Sequence, residues 1–336
     1  MRTSLALSLV TGKAFRIENI RAGRRKPGLM RQHLTAVRAA REISGAKVIG
    51  DAIASRELTF EPGEVTPDEY EFAIGTAGSA TLVLQAVLPA LVVAKAPSRV
   101  TLRGGTHNPW SPPFDFLAKA FLPLLERMNA NVTTALVRPG FYPAGGGEFN
   151  VEIIPATGGT LRPLKLIERG EIVSRQARAV VARLPEQIAE RELRVVGRKL
   201  TWPASCLCLD RATSSIGPGN ILMLEVASEN VTEVFTAFGE VNVRAEAVAN
   251  KAVRQARDYL AADVPVGPYL ADQLLIPMAM AAVQGEGPSR FRTVAPTRHT
   301  MTNIEVIRQF MDVDVEIVCQ KRGARDIILH GVNDER

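Results

Sequence analysis

Cysteine is scarce in this 336-residue chain, which holds Cys206, Cys208 and Cys319 and no CxxC pair. An odd count without that spacing excludes a disulfide framework and a thiolate metal site, and it suits a reducing cytosol. Cys206 and Cys208 flank Leu207, so within a strand both would lie on one face. Histidine is nearly as rare, with four residues, and no metal-ligand spacing of His and carboxylate arises. No apolar run approaches the roughly 18 residues that span a bilayer, so no membrane association is expected. The short stretch Leu5–Val10 imitates a signal peptide, yet Thr11-Gly12-Lys13 makes no small-residue cleavage site. The reading is therefore a cytoplasmic protein. Low-complexity sequence is missing too.

What is present is the balance of a globular chain with a sizeable core: 46% hydrophobic and 23% charged residues. Its length favours two domains. The net charge of +6 is modest, so its distribution matters more than its size. From Asn19 to Arg41 the chain carries Arg21, Arg24, Arg25, Lys26, Arg31, Arg38 and Arg41 without an acid. Such a segment is either a phosphate-binding surface or a solvated basic helix face.

Strands alternate with helices along the chain. Ala14 to Ile20 alternates in strand fashion, a helix follows from Pro27-Gly28, Gly45 closes it as a C′ residue, and Ala46 to Ala52 reads as a strand. In a second unit Thr81 to Ala94 is an all-apolar, hence buried, helix. It is followed by the strand Arg99 to Leu102, a Gly104-Gly105 turn, the helix Asp115 to Met128 and the strands Val132 to Val137 and Phe149 to Ile154. A third unit begins at Gly267. There Gln273-Leu-Leu-Ile-Pro matches Gln85-Ala-Val-Leu-Pro, and the next helix is expected near Asn303, as near Phe116 in the second unit. This internal repeat implies several copies of one helix-plus-strand module sharing a core. Between the second and third copies lie a strand from Glu171 to Arg183, a helix from Glu186 to Lys199, strands at Ile221 to Val226 and Thr232 to Val243, and an amphipathic helix from Ala245 to Ala262. That region is large enough to fold by itself.

Four histidines can be weighed singly. His33 sits in the basic helix and His330 in the last strand, where structural roles are the default; His107 follows a glycine turn. His299 stands just before an expected helix, where an anion can meet backbone N–H groups and a neutral imidazole can attack phosphorus. Gly145-Gly146-Gly147 lacks the Lys-Ser/Thr of a P-loop and the spacing of a dinucleotide fingerprint, so it reads as a tight turn into the next strand. Asp272 stands at the start of a buried helix, where burial demands hydrogen bonds or a cation and helix N-capping competes as the explanation.

Several segments together carry a family resemblance: Ile20-Arg-Ala-Gly-Arg-Arg-Lys-Pro-Gly-Leu-Met-Arg-Gln-His-Leu, Gly75-Thr-Ala-Gly-Ser-Ala-Thr-Leu-Val-Leu-Gln, Gly104-Gly-Thr-His-Asn-Pro, Gly140-Phe-Tyr-Pro-Ala-Gly-Gly-Gly, Tyr269-Leu-Ala-Asp-Gln and His299-Thr-Met-Thr-Asn. In this order, across nearly the whole chain, they resemble the RNA 3'-terminal phosphate cyclases. The resemblance implies an α/β (α+β) fold of three βαβαβ-type repeats, related to enolpyruvyl transferases and to the C-terminal domain of translation initiation factor three, with a small α/β insert. Residues 1–168 and 266–336 would form the large catalytic domain and 169–265 the insert.

It further implies an ATP-using, ligase-type enzyme. His299 would take AMP from ATP, pass it to an RNA 3'-phosphate, and the neighbouring 2'-hydroxyl would displace it to give a 2',3'-cyclic phosphate. Arg2, Arg21 and Arg24 would assist, with Gln32, Arg21 and Arg24 on the phosphates and RNA. Gln85, Tyr269, Leu270, Ala271, Asp272, Gln273, Pro113 and Phe116 would form the ATP pocket, Pro113 and Phe116 packing on adenine. Mg²⁺ or another divalent cation is expected with ATP, with Asp272 as its candidate ligand or as the residue that orients His299. Whether the chain forms a homodimer stays open. One departure stands out. The family begins with a strand and a loop of the form Asp-Gly-x-x-Gly-Glu-Gly-Gly-Gly-Gln, whereas Met1-Arg2-Thr3-Ser4-Leu5 matches the family's residues directly after that loop. The expectation is a true start about 18 residues upstream, the length of a short strand plus its loop. Two other readings are weighed: a non-catalytic cyclase-like factor of ribosomal-RNA assembly, expected to lack the histidine, and an enolpyruvyl-type transferase, whose signatures are not apparent.

Overall fold

In the computed structural model, residues 1–284 and 287–332 are described. The chain opens with helix α1 (Arg2–Thr11), strand β1 (Phe15–Ile17), helix α2 (Arg31–Ser44) and strands β2 (Lys47–Ile49) and β3 (Leu58–Glu61). The strands form an antiparallel sheet of order β1-β3-β2. Next come β4 (Glu69–Ala73), α3 (Ala80–Leu91), β5 (Ser98–Gly104), α4 (Phe114–Phe116), a π-helical segment Leu117–Phe121, α5 (Leu122–Arg127), β6 (Asn131–Arg138) and β7 (Gly147–Ile154). Their sheet runs β4-β5-β7-β6, with β4 and β5 parallel and the remaining pairs antiparallel.

A short strand β8 (Lys165–Leu166) leads into β9 (Ile172–Ala182), α6 (Gln187–Leu200), β10 (Leu207–Arg211), β11 (Gly219–Ser228), β12 (Thr232–Phe238) and α7 (Ala245–Ala262). The chain then continues through α8 (Pro268–Val283), β13 (Ser289–Thr293), α9 (Arg298–Phe310), β14 (Val313–Cys319) and β15 (Arg325–Gly331). The last sheet has the order β14-β15-β13-β8, again with one parallel pair, β8 and β13, and two antiparallel ones. Read from its parallel edge it reproduces β4-β5-β7-β6, and β1-β3-β2 reproduces the last three positions of that order. The repeat seen in the Gln-x-x-x-Pro segments is thus a repeat of topology, and the mixed α/β fold is the one expected.

The first helix of each copy is apolar on most sides because it is enclosed. In α1, α3 and α8, buried residues run through nearly every position, including Leu5, Leu7, Val83, Leu84, Leu91, Leu274 and Met278. The second helices of the first and third copies, α2 and α9, are amphipathic; in α2, Leu34, Val37, Ala40 and Ile43 recur at three-to-four spacing and point inward. The sheet of order β10-β9-β11-β12 sits against α6 and α7. Alternation along its strands serves both faces. Ala177, Ala179, Val181, Leu222, Leu224 and Val226 join the helices in a second core, whereas Val180, Ala182, Ile221 and Met223 join the main one.

Several boundaries differ from the sequence expectation. Helix α2 begins at Arg31, not at Pro27-Gly28, because Asn19 and Arg21 adopt left-handed φ and the intervening segment is a turn. The helix expected over Asp115 to Met128 starts at Phe114 and contains the π segment. The strand expected over Thr232 to Val243 ends at Phe238. The helix expected near Asn303 begins at Arg298, so His299 lies within its first turn rather than before it. Cys206 ends a 3-10 turn while Cys208 lies in β10, so the two do not share a strand face; all three thiols are free. No described helix is long and apolar enough to cross a membrane.

Candidate active site

The three buried helices converge on a cleft lined among others by Arg2, Thr3, Gln85, Pro89, Asp272, Gln273, Pro277 and Asn303. The repeat itself builds one wall. Gln85 of α3 donates through Nε2 to Oε1 of Gln273 on α8, its own counterpart in the next copy. Pro89 and Pro277 follow four residues later inside their helices. Proline lacks the N–H that would bond the carbonyl four residues earlier, so the backbone oxygens of Gln85 and Gln273 are released from the helical ladder. The side-chain Oε1 of Gln85 is buried without a partner.

Opposite stands a polar chain from three helices. Thr3 Oγ1 donates to Asn303 Oδ1 at 2.6 Å, and Asn303 Nδ2 donates to Asp272 Oδ1 at 2.5 Å. Asp272 Oδ2 faces Arg2 at 3.9 Å. Burial raises the Asp272 carboxyl above its ordinary range, against the opposing pull of Arg2, His299 and the Asn303 hydrogen bond. Asp272 is the fifth residue of α8, whose N-cap is Gly267, so the capping explanation falls away. Asp272 also feels the charge of His299, whose helix α9 packs on α8. His299 is exposed in the first turn of α9, where Thr297 Oγ1 accepts the Thr300 N–H at 3.1 Å. The cap secures one donor and leaves the helix start as a ready anion site.

The basic turn approaches from another side. Arg21, at φ 55°, donates through Nη1 to the carbonyls of Lys26 at 2.5 Å and Gly28 at 3.0 Å. Gly28 is required there: its φ is +81°, and a Cβ would lie 2.2 Å from the Ala54 carbonyl oxygen. Burial, then the charges of Arg21 and the Met1 amino group, push His33 down to about 4, so it is neutral and its Nδ1 accepts the Met30 N–H at 3.2 Å. His33 thus feels the charge of both the Arg21 turn and the N-terminus of α1. Arg24 is exposed. Gln32 Oε1 accepts the Ser79 N–H at 3.0 Å, which ties the basic helix to the loop before α3 and leaves its amide N–H₂ as the available donor.

Other expected residues are placed differently. Tyr269 is exposed on the first turn of α8, while Leu270 and Ala271 are buried and can offer only backbone. Pro113 is buried and Phe116, 3% exposed, belongs to the main core, and neither lines the cleft. Among the described residues no group of three or more His, Cys, Asp or Glu could hold a metal ion. Asp272, with one oxygen on Asn303 and the other facing Arg2, does not fit a resident divalent cation. Asn303 and Thr3 were missed as site residues. The signal was available, since Asn303 stands four positions after His299 and i,i+4 residues share a helix face.

Residues 1–317 match the sequence model of a family described as RNA 3'-terminal phosphate cyclase. A protein of that name from Ectopseudomonas mendocina is 52% identical over 325 residues, 97% of this chain and 92% of the relative. Its namesake from Koribacter versatilis is 50% identical, covering 97% and 90%. Another, from Salmonella enteritidis, is 47% identical over 313 residues, covering 93% and 90%.

Proposed function

Because this chain belongs to the RNA 3'-terminal phosphate cyclase family, and is an enzyme, we propose that it converts an RNA 3'-phosphate into a 2',3'-cyclic phosphate at the expense of ATP, with His299 as the carrier of AMP. The observation that carries this reading is the exposed imidazole at the start of α9, the helix whose Asn303 holds the half-buried Asp272 carboxylate opposite Arg2.

A ring nitrogen of His299 attacks the α-phosphorus of ATP; the N–P bond forms and pyrophosphate leaves with the electrons of the P–O bond. An oxygen of the RNA 3'-phosphate then attacks the same phosphorus and the imidazole leaves. The 2'-hydroxyl finally attacks the 3'-phosphorus, loses its proton and expels AMP. Charge gathers on phosphoryl oxygens throughout, so Arg2, Arg24 and the α9 N-terminus lower the barriers by standing where that charge develops. Asp272 orients the imidazole rather than taking part in bond making. Gln85, Gln273, Tyr269 and the backbone at Leu270 and Ala271 border the nucleotide, while Arg21 shapes the turn that presents Arg24, and the free Gln32 amide donates to phosphate. A divalent cation enters, in this reading, bound to the triphosphate of the substrate. Residues 1–168 and 266–336 form the catalytic body and 169–265 an inserted domain. Free thiols fit a cytoplasmic enzyme.

The test is incubation with α-labelled ATP. Acid-labile, protein-bound AMP that vanishes in His299→Ala is expected. Label that persists in that variant would overturn the assignment. Failure of the wild-type chain to cyclise any RNA 3'-phosphate while still taking label would remove the RNA step alone.

A further inference from the structure

Two of the most exposed aromatic side chains lie on adjoining loops. Trp110 is 97% exposed and Tyr142 70%. Large aromatics left this bare on a monomer mark a contact surface. Trp110 also holds a left-handed φ of 64°, a conformation costly for a bulky residue that persists only where the surroundings enforce it.

Those surroundings are well defined. Asn108 Nδ2 donates to the Ala77 carbonyl at 2.6 Å, and Gly105 bridges Ser79. The N–H groups of Thr106 and His107 donate to the Gly140 carbonyl at 2.9 and 3.0 Å, and the His107 ring stacks on Phe141. The turn that carries Tyr142 closes through Gly145 N–H to the Phe141 carbonyl at 2.7 Å. A third loop adjoins it: a Cβ on Gly146 would lie 2.0 Å from Ile216, itself half exposed.

Cations frame the aromatics. Arg138 Nε donates to the Gly146 carbonyl at 2.6 Å, and Arg183 Nε donates to the Ser215 carbonyl at 3.0 Å. Each guanidinium is thereby anchored by one nitrogen, and neither has an acid partner among the described residues. The neighbouring Glu148 is taken by Arg103. The patch is continuous with the candidate active site, because Ser79 donates to Gln32 at the start of the basic helix.

We propose that Trp110 and Tyr142 are a stacking platform for the unpaired bases that precede the RNA 3'-end, with Arg138 and Arg183 holding the intervening phosphates. Every base has a π-face, so such a platform grips single strands without reading sequence, and anchored arginines supply the charge. This surface rests on RNA being the substrate, as proposed above.

The test separates the two. The chain has two tryptophans, and Trp202 is 7% exposed against 97% for Trp110, so emission quenched by added RNA reports Trp110. A single-stranded RNA of about ten nucleotides with a 3'-hydroxyl, which cannot react, is expected to quench the unaltered protein; end-labelled and followed by filter binding, it is expected to bind roughly tenfold more weakly to the double variant Trp110→Ala/Tyr142→Ala, which lacks the reporting tryptophan. Trp110→Phe keeps a ring and restores binding. With 3'-phosphate ends, the double variant raises KM about tenfold for the long strand and leaves it unchanged for a dinucleotide, since the loss lies upstream of the end. Labelling by ATP is unchanged. Absence of quenching, or equal loss on long and short RNAs, would overturn the platform. So would a double variant that binds RNA normally but loses self-association, which would make the patch a contact between copies. Quenching in a protein that cyclises nothing would uphold the surface and sink the reaction instead.

Discussion

In the second repeat the helix after the parallel strand pair begins at Phe114, beneath the β9–β12 sheet; in the third the equivalent helix begins at Arg298, in solvent. Both starts carry polar side chains, but they spend them differently. At the first, Asp115 accepts from His107 Nε2 at 2.9 Å and pairs with Arg178 of β9 at 3.0 Å. These partners hold its carboxyl below the ordinary range in spite of burial. At the second, Asp272 of α8 accepts from Asn303 of α9, and the exposed His299 of that helix has no such lid. One module thus yields a structural joint where another layer covers it and an open helix start, the candidate reaction centre, where none does. The cover over the helix start, rather than the presence of a charge, separates the two.

The comparison can be broken most severely at His299. Its replacement by alanine should lower protein-bound AMP by at least roughly a thousandfold, while Asp115→Ala leaves labelling of the folded fraction intact; labelled-ATP assays on both variants decide. Asp272→Ala should cost about a hundredfold in labelling rate, the scale of a misplaced reacting group, and Asp272→Asn less, since it keeps the Asn303 contact. A rate unaffected by either would remove Asp272 from the site. Asp115→Ala strands His107 and Arg178, so denaturant unfolding should show about 2–4 kcal/mol lost; an unshifted midpoint would mean the joint is idle.

The smallest effect concerns pH. Burial pushes Glu192 up to about 7 and Glu233 up to about 8, although Glu233 accepts the Gly267 N–H at 2.5 Å. A carboxyl whose folded pKa lies above its unfolded one binds its proton more tightly when folded, so stability is greatest below the unfolded value, near 4.5, and declines as pH rises through about 8. Glu233→Gln should flatten that decline and raise the melting temperature at pH 8 by about 2–4 °C. A slope identical to that of the unaltered chain would rule Glu233 out as its source.

Much of this was legible from pattern. Gln85 and Gln273, each with its proline four positions on, announced the repeat because both face the same cleft. Gly45 ends α2 at φ 61°, where only a missing Cβ is free of strain. The strand expected at Ile221 to Val226 falls within β11. Less legible were contacts made across long separations. Nothing local tells that Asp115 will meet Arg178 some sixty positions later, or that Arg21 will turn its fork onto its own loop. The π segment at Leu117–Phe121 is equally silent, since its register follows from packing and not from propensity.

The bond between Gln85 and Gln273 joins two like side chains at matching points of two like modules, yet a hydrogen bond cannot treat its ends alike. One amide gives its proton and the other receives it, so the likeness between the repeats fails at this spot. The donor is left with a bare carbonyl oxygen in the protein interior, which is Gln85 Oε1; the acceptor is left with N–H groups to offer. Were the two amides rotated, the roles would exchange, but the inequality would survive. A duplicated architecture thereby acquires a polarity, and a bound molecule that gives at one end and accepts at the other can enter it in only one sense.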